Sequence, residues 1–214
     1  MQPYQKDFIE FAIANKVLGF GDYVLKSGRK SPYFFNVGLF SDGASLARLG
    51  QFYASAITAS GIEFDMLFGP AYKGIPLASS VAIALANSGK GGVPFCFNRK
   101  EFKDHGEGGN LIGAKLDGKV LIVDDVISAG TSVNFSVEII RQAGAIPTGV
   151  VVTMDRQERG TGMLSAAQEV EQRHRIKVVS IITMDNIVEY LEEMAHMKTN
   201  LDQIRAYRGQ YGIR

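Results

Sequence analysis

Phe8, Ile9, Phe11, Ala12 and Ile13 recur at helical spacing between Lys6, Asp7, Glu10 and Lys16, which predicts an amphipathic helix over residues 4–17, with Pro3 suited to its first turn. Two short β-like runs, 22–25 and 33–37, flank the turn-rich stretch 26–32 and predict a hairpin-like extension. Asp42 reads as a helix cap, and Leu46, Leu49, Phe52, Tyr53 and Ile57 carry a helical stripe to about residue 60. Beyond Phe64 the rhythm changes: apolar runs at 66–68, 93–97, 120–123, 149–153 and 178–182 alternate with helix-length segments. Runs without polar alternation fit strands buried on both faces, so the expected fold is α/β, a central parallel sheet flanked by helices. In such sheets ligands bind beyond the carboxyl ends of the strands, which directs attention to the loops that follow them. Residues 185–214 read as two polar helices, and no internal repeat or Pro-rich linker interrupts the chain.

Composition narrows the picture in three ways. With 46% hydrophobic and 21% charged residues, the 214-residue chain can bury a sizeable core as one domain. Lys and Arg total 23 against 22 Asp and Glu, so no global charge argues for nucleic acid or an anionic membrane as partner, and any anion site must be local. The single cysteine, Cys96, lies in the apolar run 93–97 and reads as a small buried side chain in a reducing, cytoplasmic setting. Lys6, Asp7 and Glu10 break any leader-like apolar run at the start, and the least polar stretch, 74–89, is too short and too rich in Ser to span a bilayer. A soluble protein is expected.

The most informative string is Val120-Leu-Ile-Val-Asp-Asp-Val-Ile-Ser-Ala-Gly-Thr-Ser132: a buried strand, two acids, a small-residue turn, then a helix from about Val133. Backbone N–H groups from Val126, Ile127, Ser128, Ala129, Gly130, Thr131 and Ser132 can converge on a phosphate at the helix N-terminus, with the hydroxyls of Thr131 and Ser132 assisting. Asp124 and Asp125 can accept hydrogen bonds from vicinal ribose hydroxyls, strengthened by their charge. An Asp-Asp pair taken alone more often just ends a strand, and Ser-Ala-Gly-Thr alone is an ordinary capped turn. A second loop, Phe68-Gly-Pro-Ala-Tyr-Lys-Gly-Ile75, follows another apolar strand and carries Lys73 as its only charge. A third segment, 99–110, alternates Arg99, Lys100, Lys103 and His105 with acids and glycines; such composition usually marks a solvated loop. There is no G-x-x-x-x-G-K-S/T and no G-x-G-x-x-G after a strand.

The thirteen-residue string resembles the signature of the type I phosphoribosyltransferases, and Arg99, Lys100, Lys103 and His105 fall on the catalytic-loop positions of the orotate-using members. The likeness extends over essentially the whole chain. It implies a type I phosphoribosyltransferase fold in which residues 1–60 contribute a small N-terminal hood, 61–183 the core sheet and 184–214 the C-terminal helices, with a flexible catalytic loop. It also implies that Tyr72 and Lys73 contact the pyrophosphate of phosphoribosyl pyrophosphate, with a non-proline cis peptide near Ala71 and Tyr72. The loop 99–110 becomes a basic lid that gathers cations at the leaving group, Lys103 foremost, and closes over the neighbouring subunit of a homodimer. Lys26, Phe34, Phe35 and Arg156 coincide with orotate-binding positions, Lys26 also with donor-binding ones; Ser128, where Thr is commoner, keeps a hydroxyl that can reach orotate.

Glycosyl transfer builds positive charge on the ribose and negative charge on the departing diphosphate, which is why a cationic, water-excluding lid suits it. His105 could act as a general acid, although a metal-bound leaving group needs little protonation. Asp124, Asp125, Lys103 and His105 are thus the expected catalytic set. No cluster has metal-ligand spacing, so no permanent metal site is expected; Mg2+ should arrive with the donor. The alternatives are a phosphoribosyltransferase for a purine or uracil, against which Lys26 and Arg156 argue, and a non-catalytic sensor of the donor, against which the intact lid argues.

Overall fold

A computed structural model of the protein describes residues 1–25, 28–100, 110–160 and 162–213. The chain opens with helix α1 (Pro3–Ala14), followed by strands β1 (Leu18–Val24) and β2 (Lys30–Phe35) and helix α2 (Gly43–Ser60). It continues through β3 (Met66–Gly69), α3 (Gly74–Leu85), β4 (Phe95–Asn98), β5 (Leu111–Gly113), β6 (Lys119–Val123), α4 (Thr131–Gln142) and β7 (Ile146–Asp155). It ends with α5 (Ala166–His174), β8 (Lys177–Thr183), α6 (Met184–Glu192) and α7 (Lys198–Tyr211). Six strands form one sheet in the order β5-β4-β3-β6-β7-β8, parallel throughout except for the antiparallel edge pair of β4 and β5. Strands β1 and β2 pair separately as an antiparallel ribbon.

The uninterrupted apolar runs are explained by the two faces of this sheet. In β6, Leu121 and Val123 join the core shared with α1, α2 and α3, whereas Val120 and Ile122 join the core under α4 and α5. Both faces of a central strand are therefore dry, and every position must be apolar. Helix α3, leaving β3, packs Leu77, Ala78 and Val81 on the first face, while α4, leaving β6, packs Val133, Val137 and Ile140 on the second. Two neighbouring strands thus send their chains to opposite sides, and a crevice opens between the two loops at their carboxyl ends.

Local chemistry sets the element boundaries. Asp42 caps α2 by accepting from the amides of Ala44 and Ser45, both at 2.9 Å, and Gly61 ends it in the left-handed conformation. Helix α1 stops at Ala14, short of the expected residue 17, because Lys16 turns at φ 58° and Val17 donates back to Ala12 at 2.8 Å. Strand β7 runs to Asp155, longer than its apolar stretch, and the three-residue edge strand β5 has too little pattern to be read from sequence. The last two helices are not both polar in packing: α6 buries Met184, Ile187, Tyr190 and Leu191. Among the described residues no helix is long and apolar enough to cross a membrane.

Candidate active site

The β6 strand delivers Asp124 and Asp125 to its carboxyl end, and the chain then turns through residues 126–130 into α4. Gly130 makes this turn at φ 69°, a conformation that a side chain strains, and an added Cβ would also press on Val170 at 3.2 Å. The turn and Pro70, Ala71, Tyr72 and Lys73 of the loop after β3 face each other across a cleft of about 320 Å³. The unpaired amides and the positive end of the α4 dipole make this a place for an anion. The opposing loop is shaped as tightly: the Ala71–Tyr72 peptide is cis, the Ala71 amide donates to Asn98 Oδ1 at 2.9 Å, and a Cβ on Gly74 would meet Pro70 Cδ at 2.5 Å and the Val123 carbonyl at 2.9 Å.

The acidic pair is held from beneath. Tyr53, wholly buried on α2, donates its hydroxyl to the Asp124 carbonyl at 2.7 Å, and the Thr153 amide donates to the Asp125 carbonyl at 2.9 Å. The Asp124 carboxylate accepts from the Ser132 hydroxyl at 2.8 Å and from the Asp125 amide at 2.9 Å. Burial nevertheless dominates and pushes its pKa up to about 6. Burial, and then the nearby Asp124 and Asp125 carboxylates, also raise Tyr53 well above the ordinary tyrosine range, so it stays a neutral donor. The Asp125 carboxylate pairs with the Lys73 ammonium, which ties the two loops together across the cleft.

A second cleft, about 710 Å³, shares the wall formed by Val126, Ile127, Ser128 and Ala129 and is otherwise lined by Arg29, Asp155, Arg156, Glu158 and Arg159, among others. Glu158 is its hub: it accepts from Arg29 Nη1 at 2.9 Å and from the Tyr33 hydroxyl at 2.6 Å. Arg156 lies over the Tyr33 ring, its guanidinium carbon 5.2 Å from the centroid, and only 3.9 Å separates its Nη1 from Glu158 Oε1. Helix α7 closes the rear, with the Tyr207 hydroxyl accepting from Arg29 at 3.3 Å and Arg29 lying 4.5 Å from the Tyr211 ring centroid. Burial raises the Asp155 pKa, although its carboxylate accepts from the Gln157 amide at 2.9 Å.

The fold therefore brings Tyr72, Lys73, Asp124, Asp125 and the turn 126–132 into one cleft, and joins Arg156 to Ser128 in the adjoining one. Arg99 and Lys100 line a neighbouring depression with Tyr72, where the Lys100 ammonium sits 4.7 Å from the Tyr72 ring centroid. Phe34 and Phe35 are separated: as consecutive strand residues they face opposite sides, Phe34 against Tyr23 at 5.5 Å between centroids and Phe35 in the core. Neither ring, both placed on orotate-binding positions by the family resemblance, lines the two clefts. Lys26, Lys103 and His105 lie outside the described residues. Sequence reading missed Arg29, Tyr33, Tyr53, Asn98 and Glu158, whose partners are 27 to 178 residues away and leave no local signal.

Comparison with known proteins agrees with this geometry. The Phosphoribosyl transferase domain family matches residues 40–192. The chain is 58% identical over 213 residues to the orotate phosphoribosyltransferase of Escherichia coli O9:H4 (strain HS), covering 100% of both chains. The crystal structure of the Francisella tularensis orotate phosphoribosyltransferase superposes with a TM-score of 0.88 at 42% identity, covering 96% of this chain and 99% of that one. The enzyme of the same name from Aeropyrum pernix superposes with a TM-score of 0.66 at 26% identity, over 86% of this chain and 97% of that one. By full-length identity, fold and the two-loop cleft together, the chain belongs to the orotate phosphoribosyltransferase family.

Proposed function

We propose that this chain transfers ribose 5-phosphate from 5-phosphoribosyl 1-diphosphate to a ring nitrogen of orotate, giving orotidine 5′-phosphate and diphosphate in pyrimidine biosynthesis. The observation that carries this reading is the shared wall: the turn 126–129 lines both a phosphate-sized anion cleft and a cleft bearing Arg156. Donor sugar and acceptor base bound on either side of it meet without either having to travel.

In this mechanism the amides of residues 126–132 and the hydroxyls of Thr131 and Ser132 hold the 5-phosphate of the donor. Asp124 and Asp125 receive the ribose hydroxyls, orienting the anomeric carbon toward the acceptor. Tyr72 and Lys73 hold the diphosphate, with Lys73 turning from Asp125 to the leaving group as it binds. Arg156 grips the orotate carboxylate through its planar fork, a geometry that a lysine cannot supply. The acceptor nitrogen forms a bond to the anomeric carbon and its proton passes to the released diphosphate, while the bond to diphosphate breaks with its electron pair and the carbon inverts. Arg99, Lys100, Lys103 and His105 neutralise the charge that develops on the leaving group.

Magnesium, when bound, supplies further charge neutralisation at the diphosphate. Both Asp124 oxygens already accept hydrogen bonds and Asp125 is paired with Lys73, so the site suits a cation that arrives with ligands of its own rather than a resident one. Among the described residues no group of three or more His, Cys, Asp or Glu side chains could hold a metal. A single domain in which residues 1–60 form a hood over the core, a homodimer with shared sites and a cytoplasmic location complete the proposal.

Orotate loss followed spectrophotometrically with donor and magnesium tests the reading. Orotate must outcompete adenine and uracil; a neutral base preferred over orotate overturns the acceptor assignment, and binding of the donor without diphosphate release makes the chain a sensor. Mixed dimers of a Lys103→Ala chain with an Asp124→Asn/Asp125→Asn chain should recover activity if sites are shared.

A further inference from the structure

Two guanidinium groups and one carboxylate meet in the cleft lined by Arg29, Arg156 and Glu158. The side chain of Glu158 is only 15% exposed, and each of its oxygens is engaged: Oε2 by Arg29 at 2.9 Å, Oε1 by the Tyr33 hydroxyl at 2.6 Å. Arg156 is left 3.9 Å from Oε1, beyond hydrogen-bond distance, and among the described residues it makes no closer ion pair. Its guanidinium carbon lies 5.2 Å from the Tyr33 ring centroid, a cation–π distance that leaves its N–H groups for a planar anion. About 1 Å of movement by Glu158 would convert this near miss into a hydrogen-bonded pair that cancels the charge of Arg156. What opposes that movement is the Tyr33 hydroxyl on Oε1 together with Arg29 on Oε2, Arg29 itself being fixed by the Tyr207 hydroxyl and the Tyr211 ring on α7.

We infer that Arg29 is a positioning residue for acceptor selection: it holds the Glu158 carboxylate short of hydrogen bonding to Arg156, so that the Arg156 N–H groups stay available for the acceptor. The inference rests on the proposed role of Arg156 in holding the orotate carboxylate, and goes beyond it by naming the groups that keep that role available. The ends of the polypeptide thereby contribute to base selection without touching the base, because Arg29 belongs to the β1–β2 connection and its props to α7.

The test is a mutant cycle read in steady-state kinetics, with orotate and donor varied separately. Arg29→Ala should raise the KM for orotate at least about tenfold, the size of one lost charge-assisted hydrogen bond, while the KM for the donor changes less than about twofold. Adding Glu158→Gln to that variant should restore the KM, because a neutral amide still accepts from the Tyr33 hydroxyl but cannot cancel Arg156. A merely structural role for Arg29 predicts instead that the KM values for orotate and for the donor rise together in Arg29→Ala, since an unpaired, mostly buried Glu158 would disturb the whole site. Glu158→Gln alone keeps all the surrounding side chains and removes the negative charge 3.9 Å from Arg156, so it should lower the KM for orotate, which serves if Arg29→Ala folds poorly. An unchanged or raised KM in that variant, or a double variant no better than Arg29→Ala, overturns the inference. Arg156→Ala separates the two levels: if it leaves the KM for orotate unchanged, the acceptor reading itself is wrong, whereas a raised KM there with a normal one in Arg29→Ala condemns only the role of Arg29.

Discussion

Asp124→Asn should flatten part of the pH dependence of stability. In the folded protein Asp124 titrates at about 6 instead of the ordinary 3.8, because burial outweighs the hydrogen bonds from Ser132 and the Asp125 amide. A carboxyl whose pKa is raised by folding binds its proton more tightly in the native state. Its contribution is therefore fully present below about pH 4, declines as the unfolded chain ionises, and is lost once pH passes about 6. Two pH decades at roughly 1.4 kcal/mol each amount to about 3 kcal/mol. The asparagine variant cannot ionise, so this decline disappears, although its amide oxygen cannot satisfy both donors that the carboxylate serves. Urea unfolding of both proteins at matched concentration, from pH 4.5 to 7.5, should show the difference between their unfolding free energies shifting in favour of the variant by about 2 kcal/mol as pH rises, the rest of the swing lying below pH 4.5. A difference that stays constant within about 0.5 kcal/mol would refute the reasoning, because it would mean that Asp124 is already ionised throughout.

Tyr53→Phe removes the buried donor at 2.7 Å from the Asp124 carbonyl and should cost about 1 to 3 kcal/mol in urea unfolding, with a raised KM for the donor; an unchanged KM would show that the acidic pair does not need this prop. Gly74→Ala places a Cβ 2.5 Å from Pro70 Cδ and should weaken donor affinity by at least about tenfold while circular dichroism stays native; unaltered calorimetric binding would show that the loop yields without cost. Cys96 is buried and its thiol is pushed up to about 11, so at pH 8 the folded protein should resist thiol reagents that label it in urea; rapid labelling of the native form would contradict its burial.

The parts of the protein legible in its sequence were those made by neighbours in sequence. The run Val120–Val123 announces a strand buried on both faces because each residue is apolar, and the two acids, small turn and helix that follow keep one wall of the cleft within nine residues, Asp124 to Ser132. The cap at Asp42 is likewise local. Edge strand β5 was invisible because three residues carry no period; of β1 the part from residue 22 was read, but its first half was not, because Gly19 and Gly21 break the alternation. The acceptor side was the least legible. Arg156 was singled out, but Glu158 reads as one more surface acid until folding places Tyr33, 125 residues away, against it. Phe34 and Phe35 looked like a pair because they are adjacent, and the pleat of β2 turns that adjacency into opposition.

The two halves of the site are built on unequal foundations. The half proposed for the sugar phosphate stands on β3 and β6, interior strands with dry faces, while the half proposed for the base is assembled from the ribbon, the stretch after β7 and the last helix, joined through a few polar links. Mild heating or denaturant should therefore dissolve discrimination before grip: amide exchange should quicken first around residues 28–35 and 205–212. Mutation has the same latitude, free to rework which heterocycle is admitted while the machinery for the sugar stays intact.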